Sequence, residues 1–166
     1  CDYYIIDAGW HAAAQFDTTD SMYKQFGSWH EDRSRFPEGL RAISDHVHSL
    51  GMKFGLWFEP EMVNEDSELY RAHPDYAIGV PGRVRCQSRN QYMLDLTRKE
   101  IFHGSGYLLD YRHPKVIASM TETIDRMVHE YGCDYIKFDG CPNPGMGTDK
   151  EAASLGEGLE RQMDAF

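Results

Sequence analysis

Four short apolar runs, each with an acidic residue at or near its end, constrain the fold of this chain more than any other feature. They are residues 3–7 (YYIID), 53–58 (KFGLWF), 92–96 (YMLDL) and 135–139 (YIKFD). Longer stretches separate them. Strands that alternate with helices form a parallel sheet, because each connection has to cross back over one face of the sheet. The pattern therefore predicts a series of strand–helix units.

Helical spacing of apolar residues is clearest in two of the intervening stretches. The first predicted helix starts after residues 37–39, ends at Gly51 and carries on one face Leu40, Ile43, Val47 and Leu50. The second follows Pro114 and carries Val116, Met120, Ile124, Met127 and Val128. Short helical patterns are also present at residues 67–70 and 149–166.

Strands at intervals of about 40 to 50 residues predict a partial (β/α)8 TIM barrel with about four βα units. Residues 1–166 are interpreted as one partial catalytic domain, because a complete barrel needs about 250 residues. The chain opens on a predicted strand without a signal peptide, as a fragment would. A doubly wound sheet competes, but no phosphate-binding glycine motif follows any strand. Residues 101–113 are interpreted as an inserted hairpin-like excursion.

Composition narrows the classes of partner. The formal net charge of −10 disfavours nucleic acids and anionic membranes, which bind clusters of Lys and Arg, and is compatible with a neutral sugar. No apolar run approaches the roughly 20 residues that span a bilayer. The 4 cysteines lack metal-binding spacing, so neither a metal nor a cofactor is predicted. Cys133 and Cys141 flank a strand and could pair, but free thiols, and with them a cytoplasmic location, are favoured.

Acidic side chains cluster at the predicted strand ends, where the loops of a barrel build its active site. They are Asp7, Glu59, Glu61, Asp95 and Asp139. Any one of them taken alone serves equally well as a helix cap. Aromatic residues near the same ends either stack on a sugar ring or pack in the core: Trp10, Trp29, Trp57 and Phe58.

Asp139 differs from the other acids because Lys137 lies two positions earlier on the same strand. Residues two apart in a strand point to the same face. A cation in that position would keep the carboxylate ionised, as a nucleophile requires. The same spacing fits a structural ion pair inside a barrel, and the spacing does not distinguish the two.

Several motifs together resemble the catalytic domain of glycoside hydrolase family 36, the α-galactosidase and α-N-acetylgalactosaminidase family. The resemblance rests on residues 6–10 (IDAGW), 36–40 (FPEGL), 48–63, 71–75 (RAHPD) and 134–139 (DYIKFD), with PGR, RNQ and LDL between them. It covers roughly residues 3–141. The chain is similar to the N-terminal half of the family's catalytic barrel.

The resemblance implies a retaining hydrolase that releases terminal α-galactosyl or α-N-acetylgalactosaminyl residues by double displacement. In the positions of this sequence, Asp139 matches the nucleophile and Lys137 a lysine that contacts sugar hydroxyls. Trp57 matches an aromatic wall of the sugar pocket, Arg89 an arginine that reaches it, and Asp7 an aspartate that binds hydroxyls on the far side of the ring. An oligosaccharide or glycoconjugate is the implied substrate.

Departures from the family pattern keep alternatives open. Ala8 stands where the family has a second aspartate, and residues 140–142 differ after the nucleophile. The acid/base residue is expected beyond Phe166, so the chain alone should not turn over unactivated substrates, because general acid catalysis contributes about 10²–10⁴-fold. A transglycosylase and a non-catalytic carbohydrate-binding barrel fragment are the alternatives. Unpaired sheet edges would also favour a homo-oligomer.

Overall fold

A computed structural model describes residues 1–11, 26–64, 66–77 and 106–139. The elements in chain order are β1 (Tyr3–Ile6), α1 (Leu40–Ser49), β2 (Lys53–Phe58), β3 (Met62–Asn64), α2 (Glu68–Ala72), β4 (Gly106–Leu108), α3 (Pro114–Asp125) and β5 (Tyr135–Phe138). A 3-10 turn, Pro74–Tyr76, follows α2, and one π-helical segment, Arg126–Glu130, continues α3.

Three of the strands form a parallel sheet in the order β1-β2-β5. Leu56 in the central strand lies opposite Ile6 on one side and Ile136 on the other. The parallel strands and their helical connections confirm the predicted α/β character. Because the three strands run the same way, the residues that follow them lie along one edge of the sheet.

The predicted strand order needs a correction. Residues 92–96 were expected to be the third parallel strand and residues 135–139 the fourth, but β2 hydrogen-bonds directly to β5. No strand lies between them, so Tyr135–Phe138 takes the third position. A short, mostly apolar run indicates a strand without indicating its neighbours, which are set by long-range pairing. Residues 92–96 lie outside the described residues.

A small antiparallel pair extends beyond the carboxyl end of β2. Val63 in β3 lies opposite Tyr107 in β4, and Ala77 bridges Leu109. The described part of the excursion predicted over 101–113 is paired with the segment that follows β2, and residues 101–105 lie outside the described residues. The Tyr111 hydroxyl donates a hydrogen bond of 2.6 Å to the carbonyl of Pro60 and ties the excursion to the end of β2.

The two faces of the parallel sheet differ in their covering. Phe54, Leu56 and Phe58 on one face of β2 are fully buried. Their core also contains side chains of α1 and α3: Leu40, Val47, Val116 and Met120. Tyr3 and Tyr135, on the other face, are 45% and 46% exposed and contact each other edge to face. This open face is the one that would line the interior if the sheet is part of a barrel.

The helices confirm the predicted positions but not every predicted contact. α1 begins after Gly39, whose φ of 83° suits glycine. The sequence placed Leu50 on the apolar face of this helix, but Leu50 is 60% exposed just beyond the helix end, so that prediction is wrong. α2 is capped by Ser67, whose hydroxyl accepts from the N–H of Tyr70 at 3.2 Å. None of the described helices is long and apolar enough to cross a membrane.

Candidate active site

The strand register brings three of the predicted site residues into one row. Trp57 and Lys137 are direct partners across β2 and β5, and Asp7 follows Ile6 at the same level of β1. Glu59 and Asp139 each lie two positions further along, so they form the next row on the same face. The candidate site is therefore the carboxyl edge of the parallel sheet, as the sequence predicted.

Lys137 pairs with Asp7, not with Asp139. Its Nζ lies 2.8 Å from Asp7 Oδ2, and the backbone N–H of Ala8 donates to Asp7 Oδ1 at 2.7 Å. The hydrogen bond from Lys137, followed by that from Ala8, lowers the pKa of Asp7, and the same hydrogen bond raises the pKa of Lys137. The charge of Asp139 also raises the pKa of Lys137, so the cation that the spacing predicted near Asp139 is present, while its hydrogen-bonded partner is Asp7 across β2.

Asp139 is held instead by the central strand. Its backbone N–H donates to the carbonyl of Phe58 at 2.9 Å, and its Oδ2 accepts from Trp57 Nε1 at 2.8 Å. An indole N–H donated to a carboxylate is a charge-assisted hydrogen bond, which is stronger than one between neutral groups. One backbone and one side-chain bond therefore fix the orientation of a carboxylate at the open face of the sheet.

The Trp57 indole is itself locked by an aromatic cluster. Trp57 is 4% exposed, and the rings of Phe26 and Trp29 lie 5.6 and 6.1 Å from its own. Trp10 Nε1 donates to the Trp57 carbonyl at 2.7 Å. Trp10, Trp29 and Phe58 are equally buried, so they belong to the core and not to an exposed sugar-stacking surface. The role of Trp57 as a pocket wall stays a prediction.

Glu59 is one of the five acids that the sequence placed near strand ends, but the sequence assigned it no role of its own. Its side chain is 94% buried, being only 6% exposed. Burial, then the negative charges of Glu61 and Asp139, raise the pKa of Glu59 to about 9. Its Oε1 has no hydrogen-bond partner within the described ranges. A sequence shows an acid near a strand end, whereas its burial depends on a tertiary environment that local spacing does not show.

Two charged residues named from the sequence, Arg89 and Asp95, lie outside the described residues, so their roles stay predictions. At the protein surface, His48 Nε2 lies 2.7 Å from Asp134 Oδ2. Within the part of the chain that the structure describes, no group of His, Cys, Asp and Glu has the arrangement of a metal site.

Comparisons with known proteins show which family the chain resembles. A family model described as Melibiase matches residues 1–105. The α-galactosidase Mel36A of Lactobacillus acidophilus is 40% identical over 136 residues, which are 82% of this chain and 16% of that protein. The chain thus spans about a sixth of the length of the curated relatives it matches.

Solved structures give the same result. The α-galactosidase of Lactobacillus brevis matches with a TM-score of 0.68 and 28% identity, over 99% of this chain and 19% of that one. A variant of the family 36 α-galactosidase AgaA of Geobacillus stearothermophilus, in complex with raffinose, matches with a TM-score of 0.67 and 28% identity, over 97% of this chain and 21% of that one.

Proposed function

The chain belongs to the Melibiase family. The solved structures that it resembles include family 36 α-galactosidases, and we propose that it supplies the nucleophile of a retaining α-galactosidase active site. The observation that carries the proposal is the fixed carboxylate of Asp139, which Trp57 orients beside the Asp7–Lys137 pair. The activity is proposed for the natural polypeptide that carries this sequence.

The proposed reaction has two displacements. In the first, Asp139 attacks the anomeric carbon of a terminal α-galactosyl unit, the bond to the leaving oxygen breaks, and a glycosyl ester forms. In the second, water attacks the same carbon and releases galactose and the free carboxylate. A second carboxyl group about 5 Å from the nucleophile protonates the leaving oxygen and then deprotonates the water.

The Asp7–Lys137 pair is suited to binding the hydroxyl groups of the sugar. Both side chains are partly open to solvent, at 65% for Asp7 and 43% for Lys137. A carboxylate accepts hydrogen bonds from hydroxyls and an ammonium donates to their oxygens, so the pair can bind neighbouring hydroxyls without a change in net charge. Arg89 is proposed to reach the same sugar. The side chain of Ala8 cannot accept a hydrogen bond from a sugar hydroxyl beside Asp7, as an aspartate there would.

Raffinose is the first natural substrate to test, since the AgaA variant was solved with it. We expect Asp139→Asn to reduce hydrolysis of p-nitrophenyl α-galactoside by several orders of magnitude while the melting temperature is retained. Asp2→Asn, which alters an exposed acid at the opposite end of β1, serves as the matched control and should leave activity unchanged. Comparable activity of the two variants would contradict the proposal.

Analysis of the reaction products distinguishes the possible reactions and substrates. Retention predicts that NMR detects α-galactose before mutarotation, whereas initial β-galactose would contradict a double displacement. Turnover of the α-N-acetylgalactosaminyl analogue in preference to the galactoside would move the substrate assignment to that sugar. Galactosylated acceptors in place of free galactose would identify a transglycosylase. Saturable binding without any turnover would identify a carbohydrate-binding module.

A further inference from the structure

Two acidic residues occupy adjacent positions at the ends of neighbouring strands. Phe58 and Phe138 are register partners, and Glu59 and Asp139 are the residues that follow them. The hydrogen bond from the Asp139 N–H to the Phe58 carbonyl continues the strand pairing to this level. Neighbouring strands lie about 4.7–4.9 Å apart, and the negative charge of Asp139 raises the pKa of Glu59. Ionisation of both acids is therefore disfavoured.

The surroundings decide which acid keeps its proton. Asp139 accepts a hydrogen bond from Trp57 Nε1 at 2.8 Å and lies on the same strand as Lys137, whose pKa the charge of Asp139 helps to raise. Glu59 is 94% buried, has an Oε1 without a partner among the described residues, and adjoins Glu61. A buried carboxylate oxygen without a donor is strongly unfavourable. The proton therefore belongs on Glu59.

Building on the proposed function, we propose that Glu59 is a positioning residue for the nucleophile Asp139. It remains a neutral carboxylic acid at neutral pH, so that no second negative charge opposes Asp139, and it keeps the carboxylate in the orientation fixed by Trp57. When Glu59 loses its proton to solvent at alkaline pH, the two carboxylates repel each other and the orientation of Asp139 is lost. Glu59 thereby sets an upper pH limit on galactoside hydrolysis.

The charged groups around Glu59 belong to several segments. Glu61 follows on its own strand end, Asp139 and Lys137 are contributed by β5, and the partner of Lys137 is Asp7 after β1. The excursion adds the ion pair of Asp110 and Arg112, just after Leu109, whose N–H donates to the Glu61 carbonyl. Among the described residues, the charges that act on the pKa of Glu59 are those of Glu61 and Asp139.

Infrared spectroscopy tests the location of the proton without depending on activity. In the natural polypeptide at pH 7, the difference between wild type and Glu59→Gln should contain the carbonyl stretch of a protonated carboxyl group. That band should titrate away with a midpoint near 9, the pKa given by burial and by the charges of Glu61 and Asp139. Asp139→Asn, which removes one of those charges, should lower the midpoint. Absence of the band at pH 7 would overturn the proposal.

Kinetics test the positioning role. Glu59→Gln keeps the neutral shape, so kcat/KM at pH 7 should stay within about threefold of wild type and the alkaline decline should move to higher pH. Glu38→Gln, at an exposed glutamate before α1, is the matched control and should leave the profile unchanged. An alkaline decline unchanged by Glu59→Gln would overturn the positioning role. If the polypeptide hydrolyses no galactoside, the proposed function fails while the infrared titration still decides the proton.

Discussion

Asp139 shows how the fold adds a contact that sequence spacing does not reveal. The spacing left open whether Lys137 supports the charge of Asp139 or forms a structural ion pair, and Lys137 is on the expected face. Its ammonium group nevertheless lies 2.8 Å from Asp7, and the neutral indole of Trp57 contacts Asp139. The ammonium group of Lys137 therefore lies beside Asp7, where the sugar hydroxyls are proposed to bind. The orientation of Asp139 depends on Trp57 of the adjacent strand.

Replacement of Trp57 by phenylalanine tests that assignment. Trp57→Phe retains a buried ring but removes the N–H that Asp139 accepts. A hydrogen bond to a charged group contributes about 1.5–3 kcal/mol, so kcat/KM should fall by roughly 10- to 150-fold if the bond is fully expressed in the transition state. The measurement is steady-state hydrolysis of an α-galactoside at pH 7, with thermal unfolding to confirm the fold.

Trp29 provides the control for the loss of an indole. It is 3% exposed in the same cluster, and its Nε1 has no hydrogen-bond partner among the residues that the structure describes. Trp29→Phe therefore removes similar volume without removing a bond to Asp139, and it should retain activity. Equal losses in the two variants would attribute the effect to packing of the cluster.

At the level of elements, the sequence predicted helices and strands better than it predicted their neighbours. α1 and α3 follow from apolar residues repeated at helical spacing, and β1, β2 and β5 from short apolar runs. The direct pairing of β2 with β5 could not be predicted in this way, because pairing depends on contacts between segments far apart in the chain. The antiparallel β3–β4 pair was missed for the same reason.

Gly55 permits the close packing of the central strand with its neighbours. A Cβ atom at this position would lie 3.0 Å from Ile5 Cγ1 and 3.0 Å from the Tyr135 carbonyl oxygen. Gly55→Ala should therefore lower the free energy of unfolding by about 1–3 kcal/mol, as overpacked sites do. Denaturant unfolding of the natural polypeptide measures the change.

A variant at a second glycine controls for the effect on stability of replacing any glycine. Gly51 has a φ of +76° and no atom within 4 Å of an added Cβ. Asn tolerates that backbone conformation better than most residues, so Gly51→Asn should be close to neutral. Unchanged stability of Gly55→Ala would show that β1 and β5 separate without penalty, contrary to the packing described here.

At the scale of the whole molecule, the described sheet has one covered face and one face that carries the candidate site. Tyr3, Ile5 and Tyr135 remain exposed there, and β1 and β5 are the edges of the described sheet. The predicted homo-oligomer would cover such edges and stays a prediction. The sequence placed Asp7, Glu59 and Asp139 near strand ends and the family resemblance implied roles for Asp7, Trp57, Lys137 and Asp139, whereas the burial of Glu59 could be seen only in the folded structure.

The central claim is that Asp139 is the nucleophile of an α-galactoside-cleaving enzyme. Its most direct test is reaction of the natural polypeptide with an α-galactose-configured mechanism-based inactivator, followed by mass mapping of the peptides. We expect one covalent adduct, located on Asp139 and absent from the Asp139→Asn variant. An adduct on another carboxylate, or none in a folded protein that hydrolyses α-galactosides, would contradict it.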